Sequence, residues 1–382
     1  MVLEAHHKEN MRKLLTSESV NIGHPDKTAD TIADLFLDEA LRQDPNAQMA
    51  VECVIKDDHL MIYGESTTTA IIDYEGIARN FLKSIGYTNE FRIIKQISEQ
   101  SSEINSAVCK ADLRANDQGI VYGFATNETS NFMPAPIVLA HRLMLTYNRF
   151  CDYNLGRYFR DAKSQVTVEY EDGKPIRIHT VLLSVSHSSS IGFDTIEKDM
   201  LFSVISPALE NSEVLCDKDT IYIINPSGSF TKWGSFADSG CVGRKIVVDT
   251  YGGIGRVGGG GFSGKNPTKV DRSGAYYARY VAKNIIAAGL ADKFEIQVAY
   301  GIGLLNPISI NIDTFGTGKI PQEELLAVVE KNFDFSPANI IKELNLLTPI
   351  YSKTSCYGHF GWNDFLWERV NKADVLIASL VN

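Results

Sequence analysis

The densest concentration of residues that could do chemistry lies between Arg244 and Ser273. Residues 246–248 predict a buried strand that opens into a glycine-rich loop. Glycines let backbone N–H groups approach phosphate oxygens closely and adopt positive φ angles. Five cations border this loop: Arg244, Lys245, Lys265, Lys269 and Arg272. Their excess over Asp249 and Asp271 favours a polyphosphate held with metal ions, although a long turn with solubilising charges would give the same pattern.

Two familiar nucleotide-binding motifs match this segment without their structural context. Residues 253–258 spell G-x-G-x-x-G, but a dinucleotide site needs a helix to begin inside the motif, and more glycines follow Gly258. Residues 259–265 spell most of a P-loop, but Asn266 replaces the serine or threonine and Pro267 follows it. Both matches are interpreted as accidental.

Three shorter polar clusters could contribute to the same chemistry. In the first, just before a predicted helix, His24 can donate a hydrogen bond to a leaving oxygen, Asp26 can ligate Mg²⁺ and Lys27 can neutralise phosphate. The second is a polar turn at 116–119 ahead of a strand, and in the third Lys163 opens another strand. Each cluster taken alone also fits an ordinary turn or helix entry.

The elements that must position these clusters repeat three times as helix, hairpin and helix. In chain order the predicted elements are helix 28–42, strands 49–55 and 60–63 and helix 69–83; helix 134–148, strands 165–170 and 176–185 and helix 194–209; then helix 273–288, strands 295–300 and 308–312 and helix 321–332. The repeat predicts three pseudo-symmetric α+β domains with helices layered on β-sheets. We expect them at 12–112, 116–232 and 233–376, the last carrying the glycine-rich loop.

The composition excludes several classes of protein. The 382 residues are 44% hydrophobic and 22% charged, as in folded globular proteins. No apolar run approaches the ~18 residues of a membrane span, and the N-terminus lacks the apolar run of a signal peptide. Six scattered cysteines without a Cys-x-x-Cys pair indicate a cytoplasmic protein with reduced thiols. The net charge of −10 argues against nucleic-acid binding but not against a small phosphorylated ligand.

Together these blocks resemble the methionine adenosyltransferase (S-adenosylmethionine synthetase) family over nearly the whole chain. The motifs that carry the resemblance are 23–27, 64–67, 117–119, 122–129, 133–136, 140–142, 161–167, 243–253, 258–273, 357–361 and 367–368. The resemblance implies the three-domain α+β fold of that family. It also implies a reaction in which the sulfur of methionine attacks C5′ of ATP and expels triphosphate, which is then hydrolysed to pyrophosphate and phosphate.

The resemblance further implies roles for individual residues. The implied catalytic residues are His24, Lys163, Arg244, Lys265 and Lys269. The implied ATP-binding residues are His24, Lys163, Phe230, Asp238, Arg244, Lys245 and Lys265. The implied methionine-binding residues are Glu65, Gln100, Asp117, Asp238 and Lys269. Asp26 and Asp271 would bind two Mg²⁺ ions per site, Glu52 would bind K⁺, and Asn105 to Ala115 would form a mobile lid.

By the same resemblance, we expect a homodimer or a dimer of dimers with sites shared between subunits. The charge and the lack of an apolar span predict no nucleic-acid or membrane partner. Several residues depart from the family pattern. Ser229 stands where arginine is usual, residues 233–237 replace a Gly-Gly-Pro-x-Gly run, Val257 replaces histidine and Asn266 replaces aspartate. The lid is also shorter than usual.

These departures leave a second interpretation open, that of a catalytically weak paralog that binds nucleotide and serves as a regulatory or assembly subunit. The presence of His24, Lys163 and Asp271 favours an active enzyme instead. A third interpretation, a dinucleotide-dependent oxidoreductase, rests on the motif at 253–258 alone.

Overall fold

The computed structural model describes residues 12–100 and 113–380, which form an α+β fold of three β-sheets with helices packed on them. The first elements are β1 (Arg12–Val20), α1 (Pro25–Gln43), β2 (Gln48–Lys56), β3 (His59–Thr67), α2 (Tyr74–Ser84), β4 (Arg92–Ser98) and β5 (Gly119–Thr126). There follow α3 (Ala135–Tyr153), β6 (Tyr158–Glu171), β7 (Lys174–His187), α4 (Phe193–Asp199), α5 (Ser206–Leu209) and β8 (Cys216–Ile224). The last are β9 (Gly240–Cys241), α6 (Ile246–Asp249), α7 (Val270–Ala287), β10 (Lys293–Tyr300), β11 (Ser309–Asp313), α8 (Gln322–Asn332), α9 (Pro337–Glu343) and α10 (Ala373–Ala378).

Each sheet includes a strand from a distant part of the chain. β1 pairs with β6 in the sheet β1-β6-β7-β8, and the short β9 pairs with β2 in the sheet β4-β3-β2-β9. β5 pairs with β10 in the sheet β11-β10-β5. The three sheets are therefore tied to one another by the chain, and β9 brings the start of the glycine-rich segment next to α1.

The hydrophobic core follows from strand alternation. In β2, Met49, Val51, Cys53 and Ile55 are buried while the residues between them face outward. This inner face packs in one core with Phe36 and other apolar residues of α1. A second core forms where α3 covers the sheet of β6 and β7. The three predicted hairpins and the helices that flank them are confirmed, and so is the α+β class.

The structure corrects several element predictions. Residues 246–248 are not a strand: α6 is one helical turn, closed by the Asp249 N–H donating to the Lys245 carbonyl (2.8 Å), and it leaves Val247 exposed. A buried tertiary contact of Asp249, described below, outweighs the β preference of this apolar run. The predicted helix 194–209 is divided by a π-helical turn at Met200–Ile205. The predicted helix 69–83 begins five residues late, because Asp73 caps it by accepting from the Gly76 N–H (2.9 Å).

Among residues 12–100 and 113–380, no helix combines the length and the apolar character needed to cross a membrane.

Candidate active site

The first turn of α1 holds His24 as a neutral hydrogen-bond donor. His24 is the N-cap of α1 and is 2% exposed, and its Nδ1 accepts from the Asp26 N–H (3.2 Å). Burial lowers the pKa of His24 to about 3, with help from the nearby cations Lys245 and Lys163. Because Nδ1 accepts, the single ring proton resides on Nε2. His24 can therefore offer an N–H to a reacting oxygen without carrying a charge.

Asp26 lies at the centre of a buried charge cluster. Its carboxylate accepts from the Lys245 ammonium (2.6 Å) and from the Cys241 N–H (3.0 Å), and it pairs with the Arg244 guanidinium (3.4 Å). The carboxylate is 1% exposed, whereas Arg244 is half exposed. The glycine-rich segment thus begins with two cations directed at the helix that carries His24.

Four aspartates on α1 anchor distant segments, a role that is not among those predicted from the sequence. Asp26, Asp30, Asp34 and Asp38 recur every fourth residue and therefore share one face of the helix. In that order they accept from the backbone N–H groups of Cys241 (3.0 Å), Gly243 (2.8 Å), Gly264 (2.9 Å) and Tyr351 (2.8 Å). The four-residue spacing was a signal that could have revealed this face. The bonds from Gly243 and Gly264 to these aspartates fix the two ends of the glycine-rich segment to α1.

Two cations predicted to face phosphate are instead buried in ion pairs. Lys27 is fully buried, and its ammonium donates to Asp30 (2.9 Å) and, by a short contact, to Asp249. Arg272 is also buried and makes a bidentate pair with Asp34 (2.7 and 2.8 Å). The predictions for Lys27 and Arg272 are therefore wrong, because internal carboxylates take up their charge.

Most of the remaining predicted site residues fall in two groups. We call the first the His24 group; it consists of His24, Asp26, Lys163, Asp238, Arg244 and Lys245. We call the second the Lys269 group; it consists of Glu65, Asp117, Lys265, Lys269 and Asp271. Within the His24 group, Lys163 and Asp238 lie close enough to His24 to act on its pKa.

Lys269, the N-cap of α7, is the centre of the second group. Burial lowers the pKa of Lys269, while Glu65, Asp117 and Asp271 lie close enough to oppose that shift. Lys265 donates to Asp271 (2.7 Å). The group therefore combines two lysines with three carboxylates, a set that suits a ligand bearing both an ammonium and a carboxylate.

The glycine-rich loop contacts the Lys269 group directly. A Cβ atom built on Gly260 would lie 2.2 to 2.6 Å from the Asp271 carboxyl, and one on Gly258 would lie 2.2 Å from the Ile120 carbonyl oxygen. Side chains at these positions would collide, so the close approach of the loop requires glycine. Residues 253–258 begin no helix, and α7 starts at Val270, well after Lys265. The interpretation of both nucleotide motifs as accidental is confirmed.

Asp161 is a buried acid near the His24 group; it lies in the motif at 161–167 but was not among the predicted site residues. It is 4% exposed, and its Oδ2 accepts from the Gly234 N–H (2.8 Å). Burial raises the pKa of Asp161 to about 6, and Lys163 and Asp238 also act on it. Its position two residues before Lys163 was a weak signal, because the register of β6 is irregular between Tyr158 and Ala162 and simple strand alternation does not hold there.

Phe230 and Gln100 belong to neither of these two groups. The Phe230 N–H donates to His187 Nε2 (3.1 Å) and the Phe230 carbonyl accepts from the His187 N–H (2.9 Å), so the Phe230 backbone is held at the end of β7. The Gln100 N–H donates to Thr67 (3.1 Å), and its buried Oε1 has no partner among the described residues. Of the predicted lid, Asn105 lies outside the described residues.

Ala115, the other end of the predicted lid, is buried and exchanges two backbone hydrogen bonds with a neighbouring turn. Its N–H donates to the Leu304 carbonyl (3.0 Å), and its carbonyl accepts from the Gly303 N–H (2.8 Å). This end of the segment is therefore anchored.

The carboxylates predicted to bind metals are Asp26, Asp271 and Glu52, and none of them belongs to a preformed cage of protein ligands among the described residues. Within the described residues, no three or more His, Cys, Asp and Glu side chains converge as a metal cage. Mg²⁺, however, is commonly bound by one or two carboxylates together with substrate phosphates, so single acids such as Asp26 and Asp271 fit such an ion. Glu52 accepts from the Tyr63 hydroxyl (2.8 Å) and retains oxygen lone pairs for a cation.

Comparison with known proteins gives a consistent result along the chain. Three family models match: the N-terminal domain of S-adenosylmethionine synthetase over residues 12–109, its central domain over 112–230 and its C-terminal domain over 233–369. The chain is also similar to the S-adenosylmethionine synthase of Clostridium tetani (strain Massachusetts / E88). The two are 46% identical over 387 residues, which cover 95% of this chain and 98% of the relative.

Proposed function

We propose roles for the residues of this site on one premise: the chain belongs to the S-adenosylmethionine synthetase family and is an ATP-dependent methionine adenosyltransferase. Methionine sulfur attacks C5′ of ATP and expels triphosphate, which is hydrolysed to pyrophosphate and phosphate. The enzyme needs metal ions. The observation that carries our assignment of roles is the division of the charged residues into the His24 group and the Lys269 group.

The His24 group binds the ATP end of the reaction. Sulfur is a neutral nucleophile that needs no general base, so the enzyme must align it and stabilise the charge that leaves. The Nε2–H of His24 donates to the oxygen that departs from C5′. Lys163, Arg244 and Lys245 neutralise the triphosphate. Phe230, whose backbone is bonded to His187, stacks on adenine. The resemblance implies Asp238 for both ATP and methionine, and we assign it to the ribose because it lies near His24.

The Lys269 group binds methionine and the far end of the triphosphate. Glu65 and Asp117 attract the methionine ammonium, and the partly buried Lys269 pairs with its carboxylate. Gln100, with an unpartnered buried oxygen within the described part of the chain, accepts from the same ammonium. Lys265 neutralises phosphate oxygens once it leaves Asp271.

We assign two Mg²⁺ ions to each site, one at Asp26 and one at Asp271, and a K⁺ ion at Glu52. Bound Mg²⁺ neutralises triphosphate charge and makes it a better leaving group. Asp26 and Asp271 each bond a lysine, Lys245 and Lys265 respectively. If these two acids held the ions, Lys245 and Lys265 would be free to bind phosphate oxygens instead.

We propose that a second copy of the chain completes the site, as a homodimer or as a dimer of dimers. The outer face of the sheet β4-β3-β2-β9 supports this, since Met61 and Ile94 are 37% and 50% exposed there. A small cavity of about 260 Å³ opens on the same face. It is bordered by Cys241 and by Arg244, a member of the His24 group. Pairing of two such faces would bury the apolar side chains and bring the His24 group of one copy to the Lys269 group of the other.

We further propose a cytoplasmic enzyme without nucleic-acid or membrane partners, divided into domains at 12–112, 116–232 and 233–376. The net charge of −10 and the scattered cysteines support this placement.

The assay that tests the roles is product formation from ATP and methionine with Mg²⁺ and K⁺. We expect S-adenosylmethionine, pyrophosphate and phosphate in equal amounts, no product without Mg²⁺, and a slower rate when Na⁺ replaces K⁺. Glu52→Gln should remove the difference between K⁺ and Na⁺. Unchanged K⁺ stimulation in that variant would contradict the assignment of Glu52.

A further inference from the structure

The departure from the family pattern at 233–237 has a structural explanation. This stretch begins a turn at residues 233–239, which we call the Trp233 turn, and it lies between β8 and β9. The Trp233 ring stacks on Phe159 of β6 (ring centroids 5.2 Å apart, planes at 9°). On its other side it packs on Tyr87, which follows α2 (4.6 Å, 31°). Trp233 thus links β6 to the loop that follows α2 through contacts among three aromatic rings.

Hydrogen bonds hold the same turn at its backbone. The Tyr87 hydroxyl accepts from the Ser235 N–H (2.7 Å), and Asp161 accepts from the Gly234 N–H (2.8 Å). Gly234 has φ +59°, and a Cβ atom there would lie 2.0 Å from the Tyr87 hydroxyl oxygen. Only glycine fits this approach, so the turn is built to contact Tyr87.

Fixing this backbone also fixes Asp238. The Asp238 N–H donates to the Gly234 carbonyl (3.1 Å), and the Asp238 carboxylate accepts from the Ser239 N–H (2.7 Å). The position of Asp238 therefore depends on the segment that Tyr87, Asp161 and Trp233 hold.

We propose that Trp233, Tyr87 and Asp161 are positioning residues for the methionine adenosyltransferase reaction, holding the Trp233 turn so that Asp238 faces His24 at the ATP end of the site. The inference rests on the proposed function in placing Asp238 there. The Trp233 turn contains Asp238, which belongs to the His24 group. A substitution that loosens this turn should therefore weaken ATP binding and leave methionine binding unchanged.

Tyr87→Phe is the sharpest test, because it removes the hydroxyl acceptor and keeps the ring. Loss of one buried hydrogen bond predicts a rise of about 3- to 10-fold in KM for ATP. The KM for methionine and kcat should stay within about 2-fold. The Kd of a non-hydrolysable ATP analogue, measured calorimetrically, should rise by the same factor. Trp233→Ala should raise both ATP constants by about 10-fold, and Trp233→Phe should restore them to within about 3-fold because a ring still stacks.

Tyr280→Phe is the matched control, since it removes the hydroxyl of an α7 tyrosine that donates to Asn371 (2.8 Å), and neither residue belongs to the His24 group or the Lys269 group. It should lower the thermal midpoint as Tyr87→Phe does and leave KM for ATP unchanged. An unchanged KM and Kd in Tyr87→Phe, or equal rises in both variants, would overturn the proposal.

Asp238→Asn separates this inference from the proposed function. Wild-type kinetics in that variant would contradict the placement of Asp238 and with it the inference. Loss of activity in Asp238→Asn with native ATP constants in Tyr87→Phe would overturn the inference alone.

Discussion

Asp34→Asn should destabilise the protein strongly, because it breaks a fully buried ion pair. Asp34 and Arg272 are at most 1% exposed, and the guanidinium makes two parallel bonds to the carboxylate. An asparagine keeps one oxygen as an acceptor but turns an NH₂ group towards an Arg272 N–H. The other contacts of Arg272 remain, to the Tyr276 and Thr354 hydroxyls (2.9 and 3.1 Å) and over the Tyr351 ring (4.3 Å).

The expected loss is about 3–5 kcal/mol, the cost of leaving one partner of a buried pair uncompensated. At ~2–4 °C per kcal/mol for large domains, the thermal midpoint should fall by roughly 10 °C. The measurement is thermal and urea unfolding at one fixed protein concentration, since association of copies adds to apparent stability. Asp34 also accepts from the Gly264 N–H next to Lys265, so KM for ATP should rise as well.

Asp292→Asn is the matched control. Its carboxylate pairs with Lys319 at 3.0 Å and also accepts from the Asn127 amide (3.1 Å), and the Asp292 and Lys319 side chains are about half exposed. Exposed pairs contribute about 0–1 kcal/mol, so this variant should unfold nearly as the native protein does. Equal stability of Asp34→Asn and Asp292→Asn would refute the argument that the aspartates of α1 anchor the glycine-rich loop.

Three further predictions concern catalysis and pH. Lys163→Ala and Asp271→Ala should each reduce turnover by orders of magnitude while the oligomer persists on size-exclusion chromatography; near-native rates in either would contradict its assigned role. Burial lowers the pKa of His24 to about 3, so the folded state resists its protonation and loses stability as pH falls below ~6.5. His24→Asn should therefore lose less stability than the native protein between pH 7 and pH 5 in urea titrations, and parallel losses would count against a buried neutral His24. Burial raises the pKa of Asp161 to about 6, so its contribution has the opposite sign and is lost as pH rises from about 4 through 6. Relative to the native protein, Asp161→Asn should gain thermal stability on going from pH 5 to pH 7.5, and a constant difference would show that the carboxyl is not buried as described.

The fold was predictable from the sequence to the extent that local patterns determine it. Alternation in β2 and helical periodicity in α1 are set by residues close in the chain, and the structure confirms both elements. The strand predicted at 246–248 was wrong, because the conformation there depends on the contact between Asp249 and Lys27, which are 222 residues apart.

The candidate site was predictable in composition and less so in pairing. The glycine-rich loop and its cations indicated a polyphosphate site, yet Arg272 is neutralised by Asp34, which is 238 residues away. No local pattern shows which cation meets an internal acid. The anchoring role of the α1 aspartates and the position of Asp161 also depend on segments that meet only in the folded chain.

Mixing of two inactive variants tests the central claim most directly, namely that the His24 group of one copy works with the Lys269 group of another. Lys163→Ala removes a residue of the first group and Asp271→Ala one of the second, so a hybrid dimer contains one intact site. Random mixing after dissociation and reassociation makes about half of the dimers hybrid, which predicts roughly a quarter of native activity. Differential tags on the two variants verify that hybrid dimers have formed. If the mixture is inactive although hybrid dimers are present, the two groups act within a single chain and the shared site is contradicted.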